Sequence, residues 1–381
     1  MVAMLNRRKL LFGAAAFAGH AASVRGATSY EWQTTMPAEE GFAPGLSARL
    51  DQFVLSGQAN NTHSVIVVRR GRLVFEKYYE GDDQVRDEKG RAQFERVAFS
   101  AERSHELRSV TKSIVGLLYG IALRQGMVPP LDQPLLAQFP QYTDLPDLWQ
   151  RRQWTIAQAI TMTLGIDWNE DLPYDDPRNG QTAMEAAADR YRYVLEQPIV
   201  AVAGERWIYC GGATALIGKI LENGTRQSLH DYARTVLFDP LGLGPTEWRI
   251  GRDGERNFAS GLAMRPRDLA RIGQMVLDGG KVGEEQIVPA GWLDASFKPA
   301  VSIRDGREYG YHWYLGEFVF NGSDGRRRER WIAAFGNGGQ RLYVFPHLQL
   351  LVVMTAGNYN RRDQGTPVYR LLTEIILPNV G

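Results

Sequence analysis

One cysteine, Cys210, is all the thiol chemistry the sequence carries. That excludes a disulfide framework and any multi-cysteine metal site. Histidine is scarce too. His20, His63, His105, His230, His312 and His347 are scattered, no two stand at metal-ligand spacing, and a zinc hydrolase of the H-E-x-x-H kind is excluded. Neither sign of charge is in excess: 44 Lys and Arg stand against 43 Asp and Glu, a formal net charge of +1. Bulk electrostatics therefore give no case for nucleic acid or an anionic membrane as a partner. No run reaches the ~18 apolar residues of a bilayer span, so no stable membrane insertion is expected. The G-x-S-x-G string is absent, which removes the nucleophile elbow of α/β-hydrolases. What is present is an ordinary globular composition, 44% hydrophobic and 23% charged. At 381 residues the chain suits two domains, or one large domain carrying an insertion.

The first residues read as an address rather than as fold. Asn6-Arg7-Arg8-Lys9 precedes Leu10, Leu11, Phe12 and an alanine- and glycine-rich run to Ala18. A basic start, a short apolar stretch and small residues after it describe a signal peptide over residues 1–27, and the adjacent arginines resemble a twin-arginine signal. Ala21, Ser23 and Gly26 each offer a cleavage point, and an uncleaved helix packed on the domain is the alternative. The expectation is an exported protein, periplasmic or secreted, a compartment that a lone cysteine suits.

Residues 47–55 have helical spacing, and 64–69 and 73–79 are strand-like runs joined at Arg70-Gly71-Arg72 as a β-hairpin. The polar stretch 82–95 reads as a loop. In residues 109–124, Val110, Ile114, Val115, Leu117, Leu118, Ile121 and Leu123 cover most of a helix circumference, so this helix is expected to be buried, ending at Gly126. Residues 129–252 are mostly helical, with helices near 154–163, 183–195, 213–223 and 229–238, and Pro266 opens another helix through Leu277. Strand patterns return only at 309–320, 330–335, 341–345 and 349–355, and 367–377 closes as a helix. The expected fold class is therefore α/β of the α+β type, an antiparallel sheet assembled from both ends of the chain and flanked by helices. Residues 28–126 and 253–381 would form the sheet domain, residues 127–252 an inserted helical domain, with the active site between them.

The chemistry centres on Ser109-Val110-Thr111-Lys112, the one S-x-x-K in the chain. At the start of a buried helix, positions i and i+3 share a face, which sets the Lys112 amine beside the Ser109 hydroxyl. The helix N-terminus favours negative charge developing on that oxygen. Burial should lower the lysine pKa toward the range where it accepts a proton. A plainer reading makes Ser109 an N-cap and lets Lys112 snorkel to solvent.

With these residues in view, the segment 107–123 resembles the active-site helix of the serine β-lactamase and penicillin-binding-protein superfamily. Within it, the chain most resembles the class C β-lactamase-like hydrolases on the branch of 6-aminohexanoate-dimer hydrolase and related carboxylesterases. Thr161-Met162-Thr163-Leu164-Gly165, Ser260-Gly261-Leu262 leading into Arg267-Asp268-Leu269-Ala270, and Gly338-Gly339-Gln340 support it in order and spacing, from about Trp32 to Leu377. The resemblance implies a β-lactamase/transpeptidase-like fold and an acyl-enzyme on Ser109, with no metal or cofactor. It matches the family's Tyr-x-Asn with Tyr209-Cys210-Gly211, where the phenol, its pKa pulled down by the neighbouring lysine, would relay the serine proton. Glycine at 211 removes an amide that orients lysine and substrate, which weighs against β-lactam turnover more than against ester cleavage. The third motif, Lys/His-Thr/Ser-Gly, falls on Ala334-Phe335-Gly336 without its cation, which points to neutral acyl substrates. The oxyanion hole implied is the backbone N–H of Ser109 with that of Asn337, and Gly336 and Gly338 let backbone approach the substrate.

Asp167, Glu170, Asp171, Asp175 and Asp176 could meet a substrate amine, or form a solvated loop. His312 and Trp313 sit in a strand-like run as core or cleft wall, and Cys210 reads as a packing residue rather than a rival nucleophile. The function expected is a serine hydrolase acting on ester or amide bonds of a small-molecule substrate. One rival is a D-alanyl-D-alanine carboxypeptidase or β-lactamase, and another is a non-hydrolytic sensor or binding protein on the same fold. Nothing in the sequence sets the oligomeric state.

Overall fold

The computed structural model describes residues 30–86, 92–322 and 325–381. The expected signal segment, 1–27, lies outside them. Among the described residues no helix is long and apolar enough to cross a membrane.

An eight-stranded sheet forms the frame. In chain order its strands are β1 (Thr62–Arg69), β2 (Arg72–Tyr78), β3 (Val301–Ser302), β4 (Glu308–Tyr309), β5 (Tyr314–Gly322), β6 (Gly325–Gly336), β7 (Gln340–Phe345) and β8 (Leu350–Ala356). They lie in the order β3-β4-β5-β6-β7-β8-β1-β2, and each neighbouring pair is antiparallel. The early hairpin docks on the last strand, with Val65 opposite Met354 and Val67 opposite Val352. The sheet thus joins both ends of the chain, as the sequence pattern implies.

Both faces of the sheet are covered, which is why its central strands read as continuous apolar runs rather than alternating ones. Val65, Val67, Val352 and Phe345 enter a core with Leu50 and Phe53 of helix α1 (Leu46–Leu55) and Leu371 and Leu372 near the C-terminus. Ile66, Val68, Leu342 and Leu351 face a larger core with Ile114 and Leu117 of helix α2 (Val110–Arg124). Helix α2 touches both helix α3 (Gly211–Thr225) and strand β6. Gly120 lets the Trp292 ring lie against it, since a Cβ there would come within 2.3 Å of the ring, and Trp292 Nε1 donates to the Gly116 carbonyl at 3.0 Å.

Three sequence expectations need correction. Residues 82–95 are not a loop throughout: Glu80–Arg86 pairs with Ala92–Ala98 as a hairpin. Its charges hide the strand pattern, because Arg96 bridges Glu80 at 2.9 Å and Asp82 at 3.5 Å on an exposed surface. The run 309–320 is two strands, broken where His312 takes φ +62°. The helix expected over 183–195 is two, Gly180–Ala186 and Arg190–Glu196, because the Asp189 side chain accepts from Tyr191 N–H and Arg192 N–H and starts a new helix.

Candidate active site

Helix α2 begins where the S-x-x-K string does, with Ser109 at its N-cap. The serine side chain caps nothing, and its Oγ accepts from Lys112 Nζ at 2.9 Å. Lys112 does not snorkel: it is 2% exposed and also donates to the Ala259 carbonyl at 2.9 Å. Burial lowers its pKa, and the negative charge of Glu170 is the main influence raising it again. More of the amine is therefore neutral, and able to accept a proton, at neutral pH than in a surface lysine.

Tyr209 completes the constellation from the chain just before α3. Its ring lies 4.9 Å from Lys112 Nζ, beside the Ser109–Lys112 pair. The expectation that lysine pulls the phenol pKa down is not met. Burial first and Glu170 second push it up, so Tyr209 stays a protonated phenol. Trp207, Tyr309 and Tyr314 wall it in, with ring centroids 5.0–5.7 Å apart in successive pairs. Tyr314 shows no signal in the sequence beyond its place in a strand.

Glycine at 211 leaves space that other residues fill. A Cβ at Gly211 would come within 2.8 Å of both Glu170 Oε1 and Gln181 Oε1. Glu170 accepts from the Gly211 N–H, from Trp168 Nε1 at 2.6 Å and from the Tyr174 hydroxyl at 2.9 Å. Gln181 donates to Ser260 Oγ at 3.0 Å and lines the same cavity as Ser109, its amide beside the space a side chain at 211 would take. Glu170 thus sits in the constellation, whereas Asp167 is exposed and outside both cavities described next.

Ser109 and Asn337 line one narrow cavity of about 70 Å³ with Arg108, Tyr174, Gln181, Glu185, Arg249 and Ser260. Asn337 follows β6 directly, and its side chain is tied to Asn360 by Nδ2 donating to Asn360 Oδ1 at 3.0 Å. Gly336 is needed for close approach, because a Cβ there would lie 2.3 Å from the Leu107 carbonyl oxygen. Gly338 serves the turn: its φ is +92°, its N–H donates to Gln364 Oε1, and the Tyr359 ring fills the side where a Cβ would stand. A wider cavity opens past Tyr174 and Asn337, lined by Glu170, Asp171, Arg304, Arg361 and Arg362 among others.

Cys210 caps α3, its Sγ accepting from Ala213 N–H at 3.3 Å, and burial pushes its thiol pKa up. It has no nucleophilic character. His312 is buried, its carbonyl accepts from Ser113 Oγ at 2.6 Å, and burial followed by the Lys112 charge lowers its pKa to about 3. His312 and Trp313 are core residues, as the sequence suggests.

A serine and a buried lysine on one helical turn, a phenol beside them and a glycine-tipped strand edge fit a serine-hydrolase-like enzyme. The chain belongs to the Beta-lactamase family, whose model matches residues 50–374. Among curated proteins it is 28% identical over 220 residues to the 6-aminohexanoate-dimer hydrolase of Paenarthrobacter ureafaciens, a match covering 54% of this chain and 53% of that one. The chain thus spans about half the length of this relative. Among solved structures, one from Bacillus anthracis, provisionally assigned as a 6-aminohexanoate-dimer hydrolase, superposes with a TM-score of 0.68 at 17% identity over 91% of this chain and 89% of that one. A class C β-lactamase gives 0.60 at 16% identity over 87% and 96%. These likenesses establish the α/β fold with its antiparallel sheet and inserted helical region.

Proposed function

We propose that the protein hydrolyses ester or amide bonds of small molecules through an acyl-enzyme on Ser109. The observation that carries this reading is the 2.9 Å contact between Ser109 Oγ and an amine that burial keeps weakly basic. In the first step, neutral Lys112 accepts the Ser109 proton as Oγ attacks the carbonyl carbon. The N–H groups of Ser109 and Asn337 receive the oxyanion. Tyr209, a neutral phenol whose ring lies beside Lys112, passes a proton to the leaving group and is reprotonated from Lys112. Water then enters, gives its proton back along the same route, and releases the acid. Glu170 is assigned a positioning role, holding Gly211 and setting the charge state of Lys112. Export from the cytoplasm belongs to the same reading and is supported by the arginine-led N-terminal segment.

A fluorescent phosphonate is expected to label Ser109 covalently, with peptide mapping as the readout. An adduct on another serine, or none, overturns the mechanism.

The site also favours a second reading of specificity. The cavity beside Ser109 holds about two waters' worth of space, which suits a short acyl group. Strand β6 offers no cation before Gly336, which favours neutral esters, yet Arg304, Arg361 and Arg362 line the outer cavity and could receive a carboxylate on the leaving side. A charge-assisted bond of that kind is worth about 1.5–3 kcal/mol, or about ten- to a hundredfold in kcat/KM. Comparing nitrocefin with p-nitrophenyl acetate and butyrate decides between them. Esters ahead by that margin support the neutral reading, and equal efficiency places the work on the outer arginines.

A further inference from the structure

A second polar cluster stands just upstream of Ser109, and the chemistry above does not use it. His63 of β1, His105 of the short strand His105–Glu106 and Asp83 of the Glu80–Arg86 strand bring one ligand atom each within 4.8 Å of one another. The histidines, far apart in the sequence, are thus neighbours in the fold. Both imidazoles are buried, and the Phe99 ring stacks on His63 with centroids 3.9 Å apart.

The surrounding bonds fix what the facing nitrogens are. His105 Nδ1 lies 3.0 Å from the Glu106 carbonyl oxygen, and His63 Nε2 lies 3.2 Å from the Asp82 carbonyl oxygen. A carbonyl only accepts, so in neutral rings both outer nitrogens carry the hydrogen. The inner nitrogens, His63 Nδ1 and His105 Nε2, then turn lone pairs on each other at 2.9 Å. Two acceptors at that distance need a cation between them.

A proton would serve, but burial opposes it. Both rings are buried, His63 at 0% and His105 at 1% exposure, and burial disfavours an imidazolium. A divalent metal takes neutral imidazole as its ligand and meets no such obstacle. The third donor is Asp83 Oδ1, 3.9 Å from His105 Nε2, and it accepts from the Tyr359 hydroxyl at 2.7 Å and from Gln84 N–H at 2.9 Å. Carbonyls on the outer ring nitrogens and hydrogen bonds to the carboxylate are the outer partners that orient metal ligands.

We propose that His63 Nδ1, His105 Nε2 and Asp83 bind one divalent ion of the zinc type, with water completing the coordination. Imidazole and carboxylate donors suit Zn²⁺ and its spectroscopic substitute Co²⁺. Zinc–nitrogen bonds in a tetrahedral site hold two nitrogens about 3.3 Å apart, so the rings part by about 0.4 Å on loading. Asn61, Asp82 and Tyr359 line a surface cavity next to the cluster, which gives the ion a way in. Its role is structural: it ties β1 and the Glu80–Arg86 strand to the segment leading into Ser109.

Full-length protein stripped with chelator and titrated with Co²⁺ is expected to take up one equivalent, with the visible spectrum of a four-coordinate ion that Zn²⁺ abolishes. His105→Gln should weaken Co²⁺ binding by at least about a hundredfold and Asp83→Asn by about tenfold, while His230→Gln leaves it unchanged. Should His105→Gln fail to fold, the wild-type titration and Asp83→Asn carry the decision. No stoichiometric uptake, or uptake unaltered in Asp83→Asn and in any folded His105→Gln, overturns the proposal. So does a metal-free His63 that nitrogen NMR finds as imidazolium at neutral pH and that Zn²⁺ does not alter.

Discussion

Two buried polar clusters flank Leu107-Arg108, and they satisfy their atoms in opposite ways. Downstream, donors meet acceptors: Lys112 Nζ reaches Ser109 Oγ and the Ala259 carbonyl, each at 2.9 Å. Upstream, His63 and His105 set like atoms facing each other at the same 2.9 Å. The first cluster is complete and waits for substrate, while the second is complete only with a cation. Burial acts on both, favouring neutral lysine in one and neutral imidazoles in the other. The lesson is that identical desolvation makes a base where a hydroxyl is the neighbour and a ligand set where another imidazole is.

Arg108 is the joint between them. It takes φ +50°, a conformation costing a non-glycine residue about 1–2 kcal/mol. The surroundings hold it there. Its Nη2 donates to Gln84 Oε1 at 2.7 Å, and its guanidinium lies 4.6 Å from the centroid of the Tyr359 ring. Tyr359 is also the donor to Asp83, so the ring that orients the upstream carboxylate also supports the turn that leads into Ser109.

The largest expected effect breaks the downstream cluster. Lys112→Ala and Tyr209→Phe should each cost at least about a hundredfold in ester kcat/KM, because serine, amine and phenol act as one unit. The double variant should be little worse than either single one. Near-normal turnover in Tyr209→Phe would mean that the leaving group takes its proton from another donor, and the comparison would lose its reactive half.

How much of this was legible in the sequence follows from distance along the chain. Ser109 and Lys112 stand three residues apart on a helix whose apolar circumference announces burial, so local geometry alone pairs them. Tyr209 needed the family likeness, since nothing local ties it to residue 109. Glu170 drew notice as one acid in an acidic loop, but its engagement with the Gly211 N–H, 41 residues on, depends on the helical insert folding back. The upstream cluster was not legible: His63 and His105 are 42 residues apart, and Asp83 sits in a hairpin whose charges disguise it as a loop. For the sheet, unbroken apolar runs gave the long strands and their hairpins. The split at His312 depends on Gly310, where a Cβ would meet the Ser296 carbonyl oxygen at 1.9 Å, a contact no local pattern encodes.

The smallest expected effect sharpens the comparison most, because it changes charge in the complete cluster while leaving its hydrogen-bond acceptor in place. Glu170→Gln keeps an oxygen for the Gly211 N–H and removes the negative charge that raises the Lys112 pKa. With burial then less opposed, the Lys112 pKa falls further below its ordinary value. In the proposed mechanism Lys112 acts as the base in its neutral form, which predominates above its pKa. The acid limb of the kcat/KM profile, which reports groups of the free enzyme, should therefore move to lower pH. At neutral pH the amine is a weaker base in the variant, and kcat/KM should drop by no more than about tenfold. Glu170→Ala, which strands the Trp168 and Gly211 donors in a partly buried site, should lose more activity and also stability, by about 1–3 kcal/mol. The measurement is a pH–rate profile on p-nitrophenyl butyrate for wild type and both variants. An acid limb that stays in place in Glu170→Gln, or moves to higher pH, would mean that Glu170 only holds the loop and that burial alone sets the charge on Lys112.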